Sequence, residues 1–170
     1  MPVAASAEKA DKDKPMHIEA DNLVHDEVNQ VSIFTGRAVL TKGSMVLRGE
    51  RIEMRQDPDG FQFGVVLPAP NKRAFFRQKR EGVDEFIEGE GLRIEYDGKL
   101  DRVKLIDSAE VRRYRGALLS DQMTGKLVIY DNLTDLLNID GQRTEEGAKA
   151  QGPGRVRAVL APRSKSQTKP

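Results

Sequence analysis

Few residues in this chain could do chemistry. His17 and Glu19 in "HIE" have the His-x-Glu spacing of zinc deaminases, but that site is completed by cysteines, and none of the 170 residues is a cysteine. The same absence removes disulfides, zinc–thiolate centres and cysteine nucleophiles. His17 and His25 are the only histidines, too few for the His–carboxylate cluster of a metal-dependent jelly-roll enzyme. His17 therefore reads as a strand residue on a solvated face, and no metal is expected. "GEG" at 89–91 lacks the third glycine and following helix of a dinucleotide site, and there is no Gly-x-Ser-x-Gly elbow or Walker-type loop. The carboxylates fall in turns or opposite apolar positions. Neither catalysis nor a cofactor is expected.

Two basic clusters remain: Arg73, Arg77, Lys79 and Arg80, then Arg112, Arg113 and Arg115. Arg73, Arg77, Arg112 and Arg113 are candidate phosphate contacts through charge-assisted hydrogen bonds. The alternative is that they keep exposed sheet soluble and guard it against aggregation. Overall, 28 basic residues balance 27 acidic ones, without the basic excess of a dedicated nucleic-acid binder. No nucleic-acid partner is expected. "NLT" at 132–134 has the form of a glycosylation sequon but reads as a turn.

What could position such residues is sheet. "LRIEYDGKLDRVKLIDSAEVRRY" (92–114) sets Leu92, Ile94 and Tyr96 against Arg93 and Glu95. After Asp97-Gly98 it sets Val103, Leu105, Ala109 and Val111 against Arg102, Lys104, Glu110 and Arg112. This is a hairpin of two half-buried strands. "MHIEA", "NQVSIFTGRAVLTKG", "SMVLRGERIEMRQ", "RAFFRQKR" and the segments from 116 to 141 alternate similarly, and "DPDG" (57–60) suits a type I turn. "GFQFGVVLPAPNK" is less regular, and its two prolines suggest a loop or edge. "GRVRAVLAP" (154–162) reads as a last strand with Val156, Ala158 and Leu160 facing inward.

No window carries a helical apolar period, so the chain is expected to be all-β. Hydrophobic residues are 38% and charged residues 32%, a balance suited to sheet with one apolar and one wet face. No apolar run approaches the length of a membrane-spanning helix. Residues 1–14 read as a disordered leader resembling a mature N-terminus after signal removal, 15–161 as one domain, and 162–170 as a disordered tail. A faint internal repeat, offset by roughly 70 residues, relates 20–40 to 89–111 and 43–54 to 115–130.

The apolar positions Met16, Ile18, Ile33, Leu47, Phe76, Leu92, Ile94, Tyr96, Val103, Leu105 and Val111 are expected on one face of a curled sheet. That face would be either a core or a trough for acyl chains.

From "KPMHIEADNL" through "IFTGRAVLTKGSMVLRGERIEM", "RAFFRQKREGVDEFIEGEGLRIEYD" and "LIDSAEV" to "GRVRAVLAPR", the order of motifs resembles the periplasmic lipopolysaccharide-transport bridge proteins with the OstA-like fold (LptA type). The resemblance implies an open, twisted, V-shaped β-jelly roll of about sixteen antiparallel strands. It implies a periplasmic protein that takes the lipid A part of lipopolysaccharide into its apolar interior, with Met16, Phe76, Ile94, Tyr96 and Leu105 matching interior positions. It further implies head-to-tail assembly through the terminal strands, and partners among related jelly-roll domains of the inner-membrane and outer-membrane transport components. The longer "VVLPAPNK" segment and Gly98 depart from the family pattern. The competing readings are a closed β-scaffold that binds only proteins and a small soluble lipid carrier.

Overall fold

The computed structural model describes residues 13–80, 84–142 and 154–162; most of the expected leader and tail lies outside these. The described residues form twelve strands and no α-helix. They are β1 (Met16–Glu19), β2 (Asn22–Asp26), β3 (Val31–Lys42), β4 (Met45–Gln56), β5 (Gln62–Leu67) and β6 (Ala74–Lys79). β7 (Glu85–Gly91), β8 (Arg93–Asp97), β9 (Arg102–Arg115), β10 (Leu118–Asp131), β11 (Leu136–Asp140) and β12 (Arg157–Leu160) complete the set.

Four strands, β3, β4, β9 and β10, are 12 to 14 residues long and change partners midway. One half of each lies in a first layer ordered β2-β3-β4-β5-β8-β9-β10-β11. The other half lies in a second layer ordered β1-β3-β4-β6-β7-β9-β10-β12. Every pairing is antiparallel. Among the described residues the sheet has twelve continuous strands, and because four of them serve both eight-stranded layers they supply the expected sixteen strand segments. Among the described residues neither layer closes on itself, and β1, β2, β11 and β12 are the edges.

All four long strands are irregular where they cross. β3 has a bulge at Gly36 (φ 87°) and Arg37 (φ 47°), and β9 has Asp107 (φ 62°) and Ser108 (φ 48°). β4 and β10 carry Gly49 and Gly125 at the corresponding places. Gly36 is required twice over: its φ is left-handed, and a Cβ there would lie 2.5 Å from an Asp21 carboxylate oxygen. That carboxylate is bound by Arg37 at 2.7 Å, which braces the bulge.

The repeat seen in the sequence is present in the pairing. β1 to β6 pair among themselves as β7 to β12 do: β2-β3-β4-β5 matches β8-β9-β10-β11, and β1 and β6 match β7 and β12. The turns match too. Asp26 and Asp97 open equivalent hairpins, each accepting two backbone N–H groups just ahead. Asp57 and Asp131 do the same at the next pair of turns.

One expectation about strands fails. Residues 62–67 form a regular strand between β4 and β8, and the proline-bearing loop is 68–73. Both prolines fall after the last ladder bond, so neither removes a needed donor.

Candidate functional site

The two layers face one another across a shared apolar interior. In the second layer one inner row runs Ile18–Leu40–Leu47–Phe76–Gly89–Val111–Met123–Ala158 across all eight strands. In the first layer the matching row is Leu23–Phe34–Ile52–Val66–Ile94–Leu105–Val128–Ile139. At Gly89 the layers approach closely, since a Cβ there would collide with the Leu105 side chain opposite.

The centre of this interior is filled. Leu47, Phe76, Ile94, Tyr96, Val103, Leu105 and Val111 are all no more than 2% exposed. Toward both ends the same rows loosen, and Met16, Ile18, Phe34, Met123, Leu137 and Ile139 are only partly buried. The interior is therefore a packed middle with two half-open apolar ends.

Two expected interior residues are not there. Ile33 points outward, in the row of Val24, Glu53, Val65, Glu95 and Lys104. Ile33 and Phe34 are both apolar, and the pairing of Phe34 with Ile52 decides between them. Leu92 is 45% exposed. The chain leaves β7 at Gly91 and enters β8 at Arg93, so Leu92 sits on the crossing, where its N–H donates to the Asp107 carbonyl at 2.9 Å. It lines a shallow outer cleft with Asn71, Arg73 and Ser108.

The four candidate phosphate contacts separate by face. Arg73, Arg77 and Arg112 lie on the outer face of the second layer in a cross-strand lattice with glutamates. Arg112 reaches Glu90 at 2.8 Å and Glu110 at 2.9 Å, Arg73 reaches Glu110 at 3.0 Å, and Arg77 reaches Glu88 at 3.3 Å while stacking on Phe86. Partial burial opposes ionisation of Glu110, but hydrogen bonds from Gln122 and Arg73 and the charge of Arg112 hold its carboxyl below the ordinary carboxylate range. Arg113, one residue on, faces inward in the row Gln78–Ile87–Arg113–Asp121–Leu160. It reaches Asp121 at 3.1 Å, while among the described residues its buried Nε and the buried Oε1 of Gln78 have no hydrogen-bond partner.

Opposite the crossing, polar groups join the layers across the mouth of the interior. Lys42 Nζ donates to the Tyr96 hydroxyl at 3.1 Å. Arg80, just past β6, binds Asp135 in the β10–β11 turn, with Nη2 2.5 Å and Nε 3.2 Å from one carboxylate oxygen. The other oxygen accepts from the Tyr130 hydroxyl at 2.8 Å, and Arg80 also pairs with Glu85. Burial raises the Asp135 carboxyl, yet the hydrogen bonds from Arg80 and Tyr130 outweigh it and hold the group low. Arg80 stands in a basic cluster of the sequence, where nothing points to Asp135 or Tyr130. Fifty-five residues separate Arg80 from Asp135, so no local pattern links them.

At the C-terminal edge, β12 pairs Ala158 with Met123 and Leu160 with Asp121, both on the inner face, and Val156 lies just before the strand. β2 is exposed along its whole length. His25 bonds Ser32 and Glu27, each at 2.8 Å.

The sequence profile of the family described as "LptA/(LptD N-terminal domain) LPS transport protein" matches residues 17–136. Among similar proteins, the lipopolysaccharide export system protein LptH of Pseudomonas aeruginosa is 28% identical over 163 residues, covering 96% of this chain and 88% of that one. The lipopolysaccharide export system protein LptA of Escherichia coli K12 is 27% identical over 122 residues, or 72% of this chain and 65% of that one. The crystal structure of P. aeruginosa LptH, described as the LptA-homologous periplasmic component of the lipopolysaccharide transport device, superposes with a TM-score of 0.76 at 27% identity, covering 90% of this chain and 99% of that one. With most of its sheet spanned by that profile and its layered fold shared with that crystal structure, the chain belongs to the family of LptA and the LptD N-terminal domain, the lipopolysaccharide transport proteins.

Proposed function

We propose that this protein binds the lipid A part of lipopolysaccharide between its two layers and passes it along a periplasmic bridge from inner to outer membrane. The observation that carries this reading is the pair of inner apolar rows, each crossing eight strands and running to both edges. Each acyl methylene removed from water contributes roughly 0.8 kcal/mol, so a few ordered carbons hold the ligand without a catalytic group. Of the four arginines, Arg113 is the one we place against a lipid phosphate, because it alone faces inward. Photoreactive side chains at Ile18, Phe34 and Ile139 should cross-link to lipopolysaccharide, and those at Ile33 and Arg77 should not. Equal labelling at all five positions would sink the reading. Arg113→Glu should weaken binding of phosphorylated lipid A more than of its dephosphorylated form.

Head-to-tail assembly belongs to the same proposal. Each layer has an even number of alternating strands, so its first and last run in opposite directions, and another copy continues the ladder without inversion. The joint between the two internal repeats supplies a register. β6 pairs with β7 through Phe76 and Gly89, whose counterparts are Ala158 and Ile18. β5 pairs with β8 through Val66 and Ile94, whose counterparts are Ile139 and Leu23. Two ladders, β12 to β1 and β11 to β2, would thus join successive copies and carry both inner rows onward. The same edges would receive the related jelly-roll domains of the membrane components. Cysteine pairs at Ala158 with Ile18, and at Ile139 with Leu23, should each give disulfide-linked oligomers. A mispaired set such as Ala158 with Leu23 should not, and oligomers from it would refute the register.

A further inference from the structure

The interior that is proposed to take acyl chains is closed at its centre, so a chain passing through has to part the layers there. Four bent strands join the layers along one side. On the other side, Arg80 of the second layer binds Asp135 of the first through both Nε and Nη2. Directly beneath, the Tyr130 ring lies 6.1 Å from that of Phe76 while its hydroxyl holds Asp135. We propose that the Arg80–Asp135 pair is a latch: closed, it holds the two layers over the packed centre, and released, it lets them swing apart about the bent middles of β3, β4, β9 and β10 to admit lipid.

Three features distinguish a latch from an ordinary structural ion pair. Both members keep a partner in their own layer when they separate, Arg80 with Glu85 of its hairpin and Asp135 with Tyr130. Release therefore leaves Arg80 an opposite charge and Asp135 a hydrogen-bond donor, so neither is left bare. Both side chains are partly exposed, at 22% and 39%, so water replaces the lost contact at low cost. Behind the pair, the buried Arg113 Nε and Gln78 Oε1 lack partners among the described residues in the closed form. Opening gives both access to water or to polar groups of a ligand, which offsets part of the cost of exposing the centre. The bends supply the hinge, since the long strands already carry their irregular backbone at the crossing.

The inference rests on the proposed binding of lipid between the layers, and its test separates the two. Because the chain has no cysteine, spin labels can be placed at Leu118 and Leu133, exposed positions on the second and first layers beside the mouth. Without lipid, Asp135→Asn and Arg80→Gln should each shift the inter-label distances to longer values, and the double variant should open no further than the wider of the two. An unchanged distribution in Asp135→Asn, or a double variant that opens by the sum of the single shifts, overturns the latch whatever the protein binds. In the second arm, cysteines at positions 80 and 135 are joined by a bifunctional maleimide, and lipopolysaccharide binding is compared with the unjoined protein. Joining should lower affinity at least tenfold, and equal affinity would overturn gating. If the distances respond as expected but no variant binds lipopolysaccharide, the latch stands and the lipid reading falls.

Discussion

Neighbouring residues on the same strand meet entirely different surroundings on the two faces of the sheet. Phe75 lies on the outer face beneath the Arg48 guanidinium, 4.1 Å from its ring centroid, while Phe76 is buried in the packed centre. Ile33 stands among outward glutamates and lysine, while Phe34 packs on the core. Arg112 is surrounded by three glutamates outside, while Arg113 faces inward with one carboxylate and an unpartnered Nε. In each pair the chemistry is alike and the position differs by one residue. The outer face neutralises charge with charge in water, where such lattices contribute little stability singly. The centre of the inner face is apolar and tightly packed, so a single atom lost or added there is felt.

The sharpest way to break this contrast is Phe76→Ala. It should cost about 3–5 kcal/mol, whereas Phe75→Ala should cost about 1 kcal/mol. Denaturant unfolding monitored by circular dichroism distinguishes them, and equal losses would mean the faces are not distinct.

A second effect appears at high pH. Burial, with help from Asp101 and Asp97, pushes the Tyr96 hydroxyl up to about 12, and burial raises Tyr130 as well. The unfolded chain releases these protons near the ordinary value of 10, so the stability that depends on neutral tyrosine is intact below pH 10 and drains away above it. For Tyr96 the loss is on the order of 2 kcal/mol by pH 12. Tyr96→Phe should flatten that part of the stability–pH curve above pH 10, and an unchanged slope would show that Tyr96 is not protected by the interior.

Next in size is the adjacent pair on β3. Phe34→Ser should lower stability by about 1–2 kcal/mol, while Ile33→Ser should stay within about 0.5 kcal/mol. Thermal unfolding of the two variants suffices, and a larger loss for Ile33→Ser would restore it to the interior. The cost of Arg112→Gln should be less than that of Phe34→Ser, about 1 kcal/mol at most at low salt. It should shrink in 0.5 M salt, because screening relieves the three glutamates left without their shared cation.

The local pattern of residues went a long way in this protein. Strict alternation between 93 and 111 defines β8 and β9 with the correct faces, since Ile94, Tyr96, Val103, Leu105 and Val111 all prove interior. Asp57, Asp97 and Asp131 announce turns, and the weak repeat corresponds to a real duplication of the pairing scheme. The order of motifs also led to the right family. A strand's side-chain period is two residues and a turn's hydrogen bonds span three or four, so both can be read from a short window.

What the tertiary structure alone decided involves residues far apart or a break in the period. Inner residues are odd-numbered at the start of β4 (Met45, Leu47) and even-numbered at its end (Ile52, Met54), because the bulge on β3 opposite shifts the register by one. Leu92 looks continuous with Ile94 but falls on the crossing between layers, where the alternation stops having a face to serve. The split of one sheet into two layers depends on four strands each changing partners, and the Arg80–Asp135 contact depends on those layers meeting. An alternating sequence says that a strand has two faces; which face is buried, and what lies against it, is settled only when the distant strands have paired.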